Sequence, residues 1–154
     1  MTKIKETLTA TALSLALIAS AGAAAADRIS LLLGSRHIGA PGMFKESNPG
    51  LFYTWEQPRV NWSIGAFRNS YGRASVAALA AVPLARWDNG ELSAFAGIAH
   101  YPGDGRRQPL HLGDVIPIGG LQLRQGNVFL QVTPMDGNPV KALVAVGLTF
   151  EVGK

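Results

Sequence analysis

The chain holds three histidines, and two of them have company that can do acyl chemistry. A Ser–His–acid arrangement needs a hydroxyl in reach of an imidazole and a third group to orient the ring. His37 or His100, with Ser70 or Ser75 and with Asp114, supplies those types, and His37, Ser70 and Asp114 are the candidate catalytic set. The candidate ligand-binding residues are Arg36, Asn48, Arg68, Asn69, Arg73, Ser75, His100, Arg106 and Arg107, with Lys45 and Lys141 of the same character nearby. Arginine forks suit bidentate contact with phosphate. The plainer reading is structural: Asn and Ser side chains at a strand end cap turns and satisfy one another. Asp104, Asp114 and Asp136 are too scattered for calcium and the histidines lack metal-site spacing, so neither a metal nor another cofactor is expected. No glycine-rich loop precedes a helix to cradle phosphate, and nothing carries a nucleic-acid signature.

The element that positions these residues is the stretch Val60–Trp87. Val60, Trp62, Ile64 and Ala66 alternate with Asn61, Ser63, Gly65 and Phe67, a period of two that predicts a strand. One face is apolar and the other small or polar. A polar tip, Arg68 to Arg73, separates this arm from a second one. The second arm, Ala74 to Ala85, is alanine-rich on both faces and open to a short buried helix, but Val76, Val82, Pro83 and the Asn89-Gly90 turn favour a strand.

Turn signals recur along the rest of the chain and divide it into eight strands, an all-β fold. The expected strands are Ile29–Ile38, Gly50–Gln57, Val60–Asn69, Ser75–Trp87, Glu91–Tyr101, Asp114–Arg124, Asn127–Pro134 and Val140–Val152. Tight turns at 57–59, 88–90 and 125–126 alternate with longer loops at 39–49, 70–74, 102–113 and 135–139. Unequal connections, an even strand number and spans near ten residues predict an eight-stranded antiparallel up-and-down transmembrane β-barrel. Its last strand would turn Ala142, Val144, Val146, Leu148 and Phe150 outward and Leu143, Ala145, Gly147 and Thr149 inward. Trp55, Trp62 and Trp87 would form an aromatic girdle at the tight-turn end, and Tyr71 and Tyr101 one at the long-loop end. The candidate residues then gather at the long-loop end, where sites on rigid scaffolds usually sit.

The chain ends bear on where such a barrel would live. Lys3 and Lys5, the apolar run Leu8–Ala21 and the alanines before Asp27 read as a signal peptide over 1–26, leaving a barrel domain over 27–154. Removing Lys3, Lys5 and Glu6 takes the basic count from 14 to 12 and the acidic count from 10 to 9, leaving +3. That mild charge suits anionic lipid or sugar phosphates and does not demand nucleic acid. There is no cysteine, so an exported domain must find stability without disulfides. A soluble barrel in the periplasm needs a charged exterior, yet only 16% of residues are charged.

These features resemble the small outer-membrane barrels of Gram-negative bacteria. Asn48-Pro49-Gly50, the run Gly65 to Arg73 with Ser75, and Gly119-Gly120-Leu121 are similar to a group of uncharacterised proteobacterial and prophage envelope proteins. A looser resemblance is to the lipid A deacylases, whose His-x-Ser-Asn motif carries a serine nucleophile and a histidine base. Here Ile38-Gly39-Ala40 follows His37, and Ser35 precedes it. Barrel palmitoyltransferases are similar in size, without a motif to align. The leading expectation is a monomer in the outer membrane, in contact with lipid and lipopolysaccharide through its arginine rim, structural or surface-interacting rather than enzymatic. The alternatives are a lipid A acyl hydrolase or acyltransferase with its site at the outer mouth, and a soluble periplasmic ligand-binding barrel. A lumen with room for an acyl chain favours either alternative, and a filled polar lumen favours the structural reading.

Overall fold

The structure, a computed structural model, describes residues 26–40, 42–137 and 139–153. The expected leader therefore lies, but for its last residue, outside the described residues. Eight strands follow one another: β1 (Asp27–Ile38), β2 (Ser47–Trp55), β3 (Asn61–Arg68), β4 (Ala74–Trp87), β5 (Gly90–His100), β6 (Val115–Gln125), β7 (Val128–Pro134) and β8 (Ala142–Val152). Each pairs antiparallel with the next, and β1 pairs with β8, closing the barrel. Among the described residues no helix is long and apolar enough to cross a membrane. The Ala74–Ala85 segment is strand, and the register shifts between Pro83 and Ala85, where the proline interrupts the ladder.

The alternation of side chains decides the two faces. Ile29, Leu31 and Leu33 on β1, Trp62 and Ile64 on β3, Leu121 and Leu123 on β6, and Val146, Leu148 and Phe150 on β8 all point outward. Large apolar side chains are exposed on every strand, among them Leu51, Val76, Ile98 and Val132. Trp55 and Trp62 face each other across β2 and β3 at the tight-turn end. Trp87 joins them at that end, its Nε1 donating to Gln125 Oε1 at 2.8 Å.

The lumen has two halves. Toward the tight turns it is filled by charge: Arg28 reaches Glu56 and Glu151, Arg124 reaches Glu56 and Glu91, and Arg86 closes on Glu91 at 2.7 Å. Asn61 donates to Glu91 and Arg28 to Thr149, so the floor is a cross-braced polar network. A void of about 80 Å³ remains among these groups, room for a few waters. Phe52, Leu79 and Phe95 roof that void and floor a second, larger cavity.

Candidate functional site

The larger cavity occupies the long-loop half of the lumen and has a volume of about 490 Å³, within the range of small-molecule sites. Its wall is mostly apolar and aromatic. Ala77, Ala99, Tyr101 and Ile116 form a buried cluster against which Phe52, Phe67, Leu79 and Ile118 pack. Phe67 meets Tyr101 edge-on, their ring centroids 6.0 Å apart. Burial pushes the Tyr101 hydroxyl up to about 12, so it stays protonated at every physiological pH. Tyr101 continues the inward phase of Phe95, Gly97 and Ala99 on β5, and Tyr71 lines the same cavity. The expected second girdle of Tyr71 and Tyr101 is thus corrected: both rings belong to the cavity.

Polar groups ring the upper wall. Ser35 donates to Asn48 Oδ1 at 2.6 Å, and Asn48 Nδ2 donates to the Arg68 carbonyl, tying β1, β2 and β3 together where the β2–β3 ladder has ended. Asn69 is fully buried. Its Oδ1 accepts the Tyr71 and Arg73 amides and its Nδ2 donates to Ser75, so this residue shapes the β3–β4 turn. Ser75 is buried by that bond. Ser70 lines the cavity, as does His37. The His37 ring stacks on Phe44 at 4.0 Å, and its buried Nδ1 has no hydrogen-bond partner among the described residues.

The remaining candidates lie elsewhere. Arg36, Arg68 and His100 occupy outward positions at the strand ends and are exposed. Arg36 stands 4.0 Å from Glu46, and Arg68 Nε donates to the Gly72 carbonyl. Arg73 and Arg107 converge on Asp104, which is only 1% exposed, at 3.4 and 3.1 Å. Arg106 is exposed beside them in the short 3-10 turn Gly105–Arg107. Asp114 does not line the cavity. Its Oδ2 accepts the Gly103 amide at 2.8 Å, and that bond holds its carboxyl below the usual range. The structure therefore sets His37 and Ser70 on one wall and turns Asp114 to the loop beside His100 and Arg106.

Loop side chains lie over part of the cavity. Phe44 from the β1–β2 loop meets Tyr71 edge-on at 5.9 Å. From the β5–β6 loop the Arg107 guanidinium lies 5.0 Å over the Tyr71 ring, Gln108 Nε2 donates to the Tyr71 hydroxyl, and Pro109 and Leu110 complete the lining. Sequence reasoning missed Phe44, Asp104 and Gln108, because a loop's path is not written in its periodicity. It also missed Arg28, Glu91 and Arg124, although each falls in the inward phase of its strand. Among the described residues no group of three His, Asp or Glu gathers as a metal site. No family model matches the chain, and no curated protein matches it.

Proposed function

We propose that this protein is an outer-membrane barrel that receives one acyl chain of an envelope lipid in the long-loop half of its lumen. The observation that carries the reading is the pairing of a largely apolar, partly covered cavity of about 490 Å³ with an exterior that is apolar on every strand. A bilayer supports the exterior, since pairing β1 with β8 leaves the sheet no free edge strand in hydrocarbon. Hydrocarbon suits the cavity, most of whose polar groups sit at its upper rim near where a headgroup would lie, while Gln131 lies at its floor. The tryptophans at the other end, Trp55, Trp62 and Trp87, belong to the opposite interface. The reading keeps the membrane barrel with lipopolysaccharide as its neighbour. It replaces a filled lumen by one that holds a chain. Arg36, Arg68 and Arg106 are the rim cations that would meet lipid phosphates, whereas Arg73 and Arg107 are engaged by Asp104.

The test is native mass spectrometry of the folded protein after incubation with phosphatidylethanolamine vesicles. A one-to-one lipid adduct is expected. Ala77→Phe with Ala145→Phe fills the cavity and removes the adduct while the barrel stays folded. An adduct of equal strength in that variant contradicts the reading.

One observation favours a second reading. His37 is buried on the cavity wall with Nδ1 unpartnered, and an orphaned imidazole beside an acyl-chain pocket is where a general base would sit. Such a base would take the proton of a water, or of the Ser70 hydroxyl, as the oxygen attacks an ester carbonyl, and would return it to the alkoxide that leaves as the acyl C–O bond breaks. Mass spectra of lipid A and phospholipids from cells with the protein, without it and with His37→Ala separate the readings. Identical acylation in all three leaves binding without hydrolysis.

A further inference from the structure

Arg73 and Arg107 come from different loops and meet at one carboxylate. Asp104 is 1% exposed; its Oδ2 stands 3.4 Å from Arg73 Nε and its Oδ1 3.1 Å from Arg107 Nε. The two arginine side chains remain open to water, 55% and 64% exposed. Two like charges this close repel, and the buried acid between them is what holds them side by side. A charge buried so deeply needs its partners, yet Oδ2 makes no hydrogen bond among the described residues and its contact with Arg73 is long. Arg73 uses Nη1 on the Pro102 carbonyl, which leaves its Nη2 and both Nη atoms of Arg107 outside these bonds.

The backbone that carries the pair is fixed from several directions. On the β3–β4 side the buried Asn69 accepts the Arg73 amide at 3.1 Å. On the β5–β6 side Asp114 accepts the Gly103 amide, and the Asp104 amide donates to the Tyr101 carbonyl at 3.0 Å. Gly103 takes a φ of 73°, and a Cβ there would run into Arg73 Nη1. Glycine is what leaves room for the guanidinium to cross from one loop to the other. Arg68 lies along the same tip, its Nη2 3.5 Å from where a Gly72 Cβ would stand. Donors held in place before a ligand arrives leave little to order on binding, which is how an anion site is preorganised. The pair also borders the cavity, since Arg107 and the Tyr71 ring under it both belong to its lining. Asp136, the acid of that lining, lies in the β7–β8 loop on the opposite side of the barrel.

We infer that Arg73 and Arg107 form a phosphomonoester site at the mouth of the cavity, with Asp104 as its internal brace. Two forks set side by side match the three terminal oxygens of a phosphomonoester, whereas one fork already satisfies a carboxylate. The slack contact of Arg73 with Asp104 lets that guanidinium turn to a phosphate oxygen without losing the Pro102 carbonyl. The inference deepens the acyl-chain reading by giving the chain a headgroup, and it rests on that reading for the chain alone. It sets a braced pair of arginines apart from the singly exposed rim cations Arg36 and Arg106.

The test titrates the folded protein, held in an alkyl maltoside that carries no phosphate, with octyl phosphate, inorganic phosphate, octanoate and octanol. Octyl phosphate should bind most tightly of the four. Arg73→Gln with Arg107→Gln should weaken it about tenfold or more, as expected for lost charge-assisted hydrogen bonds. The same two charges removed from the rim, in Arg36→Gln with Arg106→Gln, should weaken it less than about fivefold, as for exposed ion pairs. The unaltered protein gives a second reading, independent of any variant's folding: octyl phosphate should shift the side-chain Nε–Hε resonances of Arg73 and Arg107. Equal losses in the two variants, or shifts at Arg36 and Arg106 without Arg73 and Arg107, reduce the site to a charged rim and overturn it. Octanoate that binds as tightly as octyl phosphate overturns the phosphate assignment. Inorganic phosphate that matches octyl phosphate and shifts Arg73 and Arg107, while octanol fails to bind, overturns the acyl cavity and supports the phosphate site as one for a free anion.

Discussion

Glu91 offers a measurable handle on what holds the cavity floor. It is 3% exposed and gathers three partners: Arg86 Nε at 2.7 Å, Asn61 Nδ2 at 3.2 Å and Arg124 at 3.9 Å. Glu91→Leu leaves the Arg124 guanidinium facing only Glu56 in a nearly closed lumen. Removing one partner of a buried ion pair typically costs about 3–5 kcal/mol, because the remaining charge stays desolvated. Arg86 adds little, since it is exposed enough for water to take over, about 0.2–1 kcal/mol. The expected loss is therefore about 3–5 kcal/mol, and Glu91→Leu with Arg124→Leu should recover most of it, because an apolar pair of similar volume often replaces a buried ion pair without loss. The assay is reversible urea unfolding of the barrel in vesicles, followed by tryptophan fluorescence. A single variant that loses under about 1 kcal/mol, or a double variant no better than the single one, refutes the idea that paired charge braces the floor.

Three other outcomes follow from the same geometry. Leu121→Arg, in the middle of the apolar belt, should cost about 2–4 kcal/mol in vesicles, whereas Leu112→Arg at the loop tip should cost about 0–1 kcal/mol. Equal costs in the same unfolding assay would contradict the membrane depth assigned to these residues. The Gly103 amide keeps the Asp114 carboxyl below its ordinary value, so the β5–β6 loop keeps this contribution at and above the usual Asp range of about 4 and loses it as pH falls through the depressed value. The amide shift of Gly103 should report that titration with a midpoint below the ordinary range, and Asp114→Asn should abolish it. Asn69→Ala removes the acceptor of two turn amides and should loosen the β3–β4 tip, seen as faster amide exchange at Tyr71 and Arg73. Unchanged exchange there would deny Asn69 its turn-shaping part.

Much of the barrel was legible because a strand writes its orientation in a period of two. Val144, Val146 and Leu148 lie outward and Leu143, Ala145 and Gly147 inward, as the alternation of β8 predicts. Strand ends moved where loops lent residues to ladders: β2 begins at Ser47, so Asn48 and Pro49 belong to a strand that the sequence suggests starts at Gly50. Tyr101 was misplaced by reading its distance from a turn instead of its phase, which runs inward through Ala99. His100, one residue earlier, faces outward for the same reason, so it cannot share a wall with His37. The gathering of His37, Asn48, Asn69 and Ser70 at one mouth follows from topology, and their division from Asp114 does not, because it depends on how the Gly103 turn folds back.

The most direct test of the account is where lipid chains touch the protein. In deuterated-water nanodiscs, nuclear Overhauser contacts between acyl methylenes and side-chain methyls report it residue by residue. The account predicts contacts at Leu121, Val132 and Val146 on the exterior and also at Ile116, Ile118 and Leu143 in the cavity, with none at Ala81, which lines the polar floor. Lumen methyls that see only water, beside exterior methyls that see lipid, would contradict it.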